Sequence, residues 1–182
     1  MSRLLATCFA TLLGANLLFA DVESGPKAGE ELKDFKVFSV TGPVEGKEVS
    51  YLMELKEKPT VYLFIQQERW VRPMAKFMKV LDTECKDANK DVQIVAVWLS
   101  EKPDDIKEYL PKANTALSLD NTALTVFQGE KSGPNGWSIN SDAHITVVVA
   151  SKGKAAATFA FQSVNDTDVP KVKEALKKLT AK

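Results

Sequence analysis

Few side chains in this chain of 182 residues could do covalent or metal chemistry: two cysteines and one histidine. Thiol chemistry needs a thiolate in an exposed, electropositive setting. Cys8 falls inside an apolar leader. Cys85 ends the series Met74, Phe77, Met78, Leu81 and Cys85, whose spacing is that of one helix face. That places Cys85 on a buried stripe near the helix C-terminal end, where carbonyls raise a thiol's pKa. His144 could serve as a general base or a metal ligand, but no nucleophile is spaced to use it. Asp104-Asp105 and Asp120 are the acidic clusters that could pass for a catalytic carboxylate pair. Helix-start preferences account for both. Asp120 is expected to cap a helix running through Phe127, with Leu124 and Phe127 inward, after a short strand at Leu117-Ser118-Leu119.

The elements that would position these groups centre on residues 59–85. Thr60-Val61-Tyr62-Leu63-Phe64-Ile65 carries no charge and reads as a strand covered on both faces. A loop, Arg69-Trp70-Val71-Arg72, leads to Pro73, which suits the first turn of a helix because its missing N–H would be unpaired there. Residues 92–99 form a second apolar strand, and the strand–helix–strand spacing implies a right-handed parallel crossover. Pro103 opens another helix, with Ile106, Tyr109 and Leu110 as its inward face. Residues 129–136 form a loose surface loop ending at Trp137, read as a plug over the core. Residues 145–150 are a third apolar strand. Lys152-Gly153-Lys154 turns it into an antiparallel edge strand, Ala155 to Phe161. Val169, Val172, Leu176 and Leu179 make a last helical stripe with lysines facing outward. Upstream, Asp34 to Val40 alternates as a half-buried strand, and Val49 to Tyr51 is the second arm of a hairpin. Asn165-Asp166-Thr167 fits an N-glycosylation acceptor in a eukaryotic secreted chain.

Bulk properties exclude several function classes. Lys plus Arg and Asp plus Glu each number 24, so no strong field argues for nucleic acid or an anionic membrane. Residues 2–20 carry one early Arg, an apolar core and a small residue before Asp21, the pattern of a secretory signal peptide cleaved near Ala20. Cleavage leaves residues 21–182 as one domain and Cys85 as the single thiol, unable to form an internal disulfide. There is no P-loop, no dinucleotide-binding glycine motif and no Cys/His cluster at metal spacing.

The step Trp70-Val71-Arg72-Pro73-Met74 resembles the Trp-Cys-x-x-Cys helix start of the thioredoxin superfamily with both cysteines replaced, by Val71 and Met74. Pro26, Gly29, Asp34, Phe35, Gly46, Lys47, Val49, Leu55, Lys56, Lys58 and Pro59 are similar in order to the N-terminal portion of secreted redoxins and peroxiredoxin-like proteins. The resemblance covers nearly the whole mature chain. It implies an α/β fold with a central mixed sheet, helices on both faces and an N-terminal β-hairpin. It also aligns His144, or Ala143 one residue earlier, with the family's cis-proline. A cis bond before a non-proline residue costs roughly 2.5–4 kcal/mol, so a trans peptide is expected there.

The family activities, thiol–disulfide exchange and peroxide reduction, need a low-pKa thiolate at the helix start. Val71 cannot ionise and Met74 cannot form a disulfide, so no catalytic residue and no cofactor are expected. The sequence instead points to an exported binding module, periplasmic or extracellular. Its protein or peptide partner would meet Arg69, Trp70, Arg72, Pro73 and His144, with no nucleic acid and no membrane involved after cleavage. An oxidoreductase of the redoxin type using Cys85 is the alternative. A copper carrier is a second one, since imidazole and thioether suit soft or borderline copper.

Overall fold

A computed structural model describes residues 22–55, 57–88 and 91–180. The leader and Cys8 lie outside them. Along the chain run β1 (Val37–Ser39), β2 (Lys47–Val49), α1 (Tyr51–Glu54), β3 (Thr60–Gln66), α2 (Arg72–Ala88), β4 (Gln93–Leu99), α3 (Pro103–Leu117), β5 (Thr122–Val126), β6 (Ile145–Ser151), β7 (Lys154–Phe161) and α4 (Val169–Thr180). The seven strands form one mixed sheet in the order β2-β1-β5-β4-β3-β6-β7.

β3 is the middle of the molecule. It runs parallel to β4, pairing Leu63 with Ala96, and antiparallel to β6, pairing Leu63 with Val147. Every residue of β3 is buried, as its uncharged, β-branched and aromatic composition requires. Alternate residues separate two cores. Val61, Leu63 and Ile65 join Met74, Phe77, Met78, Leu81 and Cys85 of α2, with Ile106 and Leu110 of α3 and Val172 and Leu176 of α4. Tyr62 and Phe64 join Tyr51, Val97, Val148 and Trp137 on the opposite side. Helices therefore cover both faces, but unequally. The three long ones share one face, because two successive right-handed crossovers in the same direction put α2 and α3 on the same side. The other face carries α1, the segment around Phe35, and Trp137.

Trp137 is a plug. It is fully buried, and its ring lies 5.0 Å from Phe35, 5.1 Å from Tyr62 and 5.0 Å from Phe64. Its Nε1 donates to the Lys33 carbonyl at 2.8 Å, satisfying the one polar atom that burial would otherwise strand. β7 is the antiparallel edge strand, and the β1–β2 hairpin pairs Val37 with Val49.

Three expectations change. Tyr51 does not end the second hairpin arm but starts α1, because the Ser50 side chain accepts from the Met53 N–H at 3.2 Å and caps a helical turn. The short strand at Leu117–Leu119 is instead the end of α3, closed by Ser118 at φ 51. The helix from Asp120 to Phe127 is instead β5, buried along its whole length between β4 and β1. Thr122, Thr125 and Val126 are β-branched and suit that doubly paired position. Asp120 caps nothing: its carboxylate meets Lys86 at 2.8 Å. The buried carboxylate of Asp82 takes up the local donors, accepting from Asp120 N at 3.1 Å, Asn121 N at 2.9 Å and Thr122 Oγ1 at 2.6 Å. Asn165 of the acceptor-like triplet caps the turn before α4, accepting from Thr167 N at 2.9 Å.

Candidate functional site at the head of α2

The backbone sets up this site in four residues. A 3-10 turn at Gln67–Arg69 ends at Trp70, whose extended backbone (φ −62°, ψ 119°) breaks the coil before α2. The Val71 carbonyl then accepts from Met74 N at 3.0 Å and Ala75 N at 3.2 Å, so helical bonding begins there. Pro73 is the second residue of α2, within the first turn, where no N–H is missed. Val71 thus precedes α2 directly and Met74 completes its first turn.

Their surroundings differ. Val71 is 51% exposed, whereas Met74 is 1% exposed and part of the core. A hydrocarbon faces water at one position and a thioether is sealed in at the other. Cys85, the one cysteine among the described residues, lies farther along α2 and is 2% exposed. Burial pushes its thiol up to about 12, with Asp82 and Glu84 adding to the shift and Lys173 opposing it. This arrangement holds no reactive thiolate at neutral pH.

Aromatic groups stack behind Val71. Trp70 is half-buried and meets the fully buried Trp98 edge-on, with ring centroids 5.4 Å apart. Its Nε1 donates to the Tyr109 hydroxyl at 3.1 Å. Tyr109 was expected on the inward face of α3, but it is 40% exposed. Ile106, Leu110 and Ala113 are the buried residues, at i, i+4 and i+7, and Tyr109 flanks that stripe, on the side where it reaches Trp70.

His144 precedes β6 and is held by its backbone on two sides. Its N–H donates to the Phe161 carbonyl at 2.8 Å, and its carbonyl accepts from Gln66 N at 3.1 Å. Its imidazole is held below its ordinary value, first by partial burial and then by the Arg69 guanidinium. Ala143, the alternative family-proline position, is 1% exposed. No peptide bond among the described residues is cis, as expected for this step. Arg69, Arg72 and Pro73 are exposed.

Two ties were not visible from spacing. The Gln66 side chain donates to the Lys131 carbonyl at 3.2 Å, and Lys131 lies 2.7 Å from Glu101 and 4.0 Å from Glu68. The Gly129–Gly136 loop is thereby fastened to the ends of β3 and β4.

Comparison with known proteins adds the fold but no close relative. No family model and no curated protein matches the sequence. Solved structures do. A DsbF homologue from Corynebacterium diphtheriae shares 17% identity at a TM-score of 0.61, over 92% of this chain and 97% of that one. A SCO1/SenC family lipoprotein from Bacillus anthracis shares 18% at 0.60, over 82% and 95%. A thiol peroxidase from Chromobacterium violaceum shares 10% at 0.59, over 88% and 91%. These likenesses, with the sheet order and the position of α2, place the chain in the thioredoxin-like fold, without a cysteine at the head of the helix where Val71 and Met74 stand.

Proposed function

We propose that this chain is an exported, redox-inactive module of the thioredoxin-like fold that binds a protein or peptide partner at the head of α2. One observation carries the reading. Three large hydrophobic side chains are strongly exposed among the described residues, and two of them, Val71 and Tyr109, flank Trp70. An exposed apolar group framed by an aromatic ring and by Arg69 and Arg72 is the composition of an interface anchor. Pro73 and His144 complete the surface. The leader read from residues 2–20 supports export, and no helix among the described residues is long and apolar enough to cross a membrane.

The test is enzymatic and binding together. The purified chain is assayed for peroxide consumption and insulin reduction beside its Cys85→Ser variant, and peptides selected on the chain are re-measured on Trp70→Ala. Equal, background turnover in both proteins, with peptide binding lost in Trp70→Ala, is the expected result. Turnover that vanishes in Cys85→Ser overturns the proposal in favour of a redoxin-type oxidoreductase. The copper reading draws on the SCO1/SenC likeness and on His144, the one imidazole. Cu(I) bound more tightly by the chain than by its His144→Ala variant would establish it.

A further inference from the structure

The head of α2 continues into a shallow groove of about 500 Å³ along the helix's outer side. Pro73, Ala75 and Leu117 supply its apolar lining, and Arg72, Lys76 and Lys79 its charge. The one carboxylate in the lining, Asp166, is engaged by Lys76 at 2.9 Å. Arg72 and Lys79 make no ion pair among the described residues, and neither does Arg69 next to Trp70. Of the other cations on the long helices, Lys86, Lys107, Lys171 and Lys173 each meet a carboxylate, whereas Lys112 and Lys178 make no ion pair among the described residues. The chain as a whole is neutral. The lining of the groove is nevertheless net positive, three cations against one carboxylate, and the two unpaired ones lie beside an apolar strip.

We infer that this groove takes an acidic peptide segment of a partner protein, its carboxylates meeting Arg72 and Lys79 and its apolar side chains lying on Pro73, Ala75 and Leu117. The inference rests on the interaction-module reading and names the chemistry of its partner. Charge complementarity selects the occupant: a basic or neutral peptide would leave these cations desolvated and unpaired. The apolar lining and balanced overall charge disfavour a nucleic acid, which needs a long basic track.

Short fluorescent peptides with the same apolar residues but acidic, neutral or basic intervening positions are titrated onto the full chain by anisotropy, at low and physiological salt. Single-stranded oligonucleotide and vesicles with anionic phospholipid are parallel probes. Binding is expected for the acidic peptide, weakening with salt. Lys79→Glu and Arg72→Glu are each expected to weaken it roughly tenfold and to move the preference toward the basic peptide. Circular dichroism of both variants checks that the fold is kept. Neutral or basic peptides binding as well as the acidic one, with loss in Trp70→Ala, would overturn the acidic partner and leave the interaction module standing. Acidic binding indifferent to both reversals, or binding of oligonucleotide or vesicle without peptide, would overturn the inference as well.

Discussion

The indole N–H of Trp70 and the hydroxyl of Tyr109 meet at 3.1 Å, joining the loop before α2 to the outer flank of α3. Both groups are partly exposed, so the bond fixes the Trp70 ring more than it stabilises the fold. Tyr109→Phe should therefore cost less than about 1 kcal/mol in urea denaturation. It should also speed hydrogen exchange of the Trp70 indole, read by NMR. Unchanged exchange would mean that the bond does not hold the ring in solution.

His144 and Arg69 are linked electrostatically. A base held below its ordinary 6.5 is neutral in the fold while the unfolded chain takes up the proton. Stability from this group is present above 6.5 and is lost as pH falls below it. Arg69→Gln should raise the His144 pKa, though only in part, because burial is the larger cause. An imidazole titration by NMR showing no upward movement would exclude the Arg69 contribution.

Cys85 responds to alkali in the opposite sense. The folded chain keeps the thiol protonated up to about 12, whereas the unfolded chain loses that proton near the ordinary 9.0. Stability therefore falls as pH rises between those values, by up to about 1.4 kcal/mol per pH unit. Tyr51 and Tyr62 are also shifted upward by burial and add to the loss at higher pH. Denaturation of Cys85→Ala across this range should show a shallower slope. The native chain should also resist thiol reagents until it unfolds.

Asp82 gathers three donors from the start of β5 into one buried carboxylate. Asp82→Ala should destabilise by roughly 3 kcal/mol, because two backbone N–H groups and a hydroxyl lose a charged acceptor. Thr122→Val removes one of those bonds and should cost about 1 kcal/mol. A double-mutant cycle in which the two losses simply add would argue against a shared site.

Much of the fold was legible in local sequence, for a physical reason. The three uncharged apolar runs had to be doubly covered strands, and the stripe from Met74 to Cys85 could satisfy only a helix. Pro73 and Pro103 marked helix starts because their geometry is fixed and their missing N–H costs nothing there. Val71 and Met74 at the head of α2 followed from the same markers, and with them the absence of a thiol at that place.

Tertiary structure decided what local preference leaves balanced. Residues 120–127 could serve as a capped helix or a strand, and the slot between β4 and β1, with Asp82 waiting at its entrance, made 122–126 a strand. Ser50 capping turned Tyr51 from a strand end into a helix start. Exposure was likewise a long-range matter: Val71 and Met74 are three residues apart, yet one faces water and the other the core. Whether a residue is an anchor or a filler depends on what the rest of the chain brings against it, and that is set by packing between segments far apart in sequence.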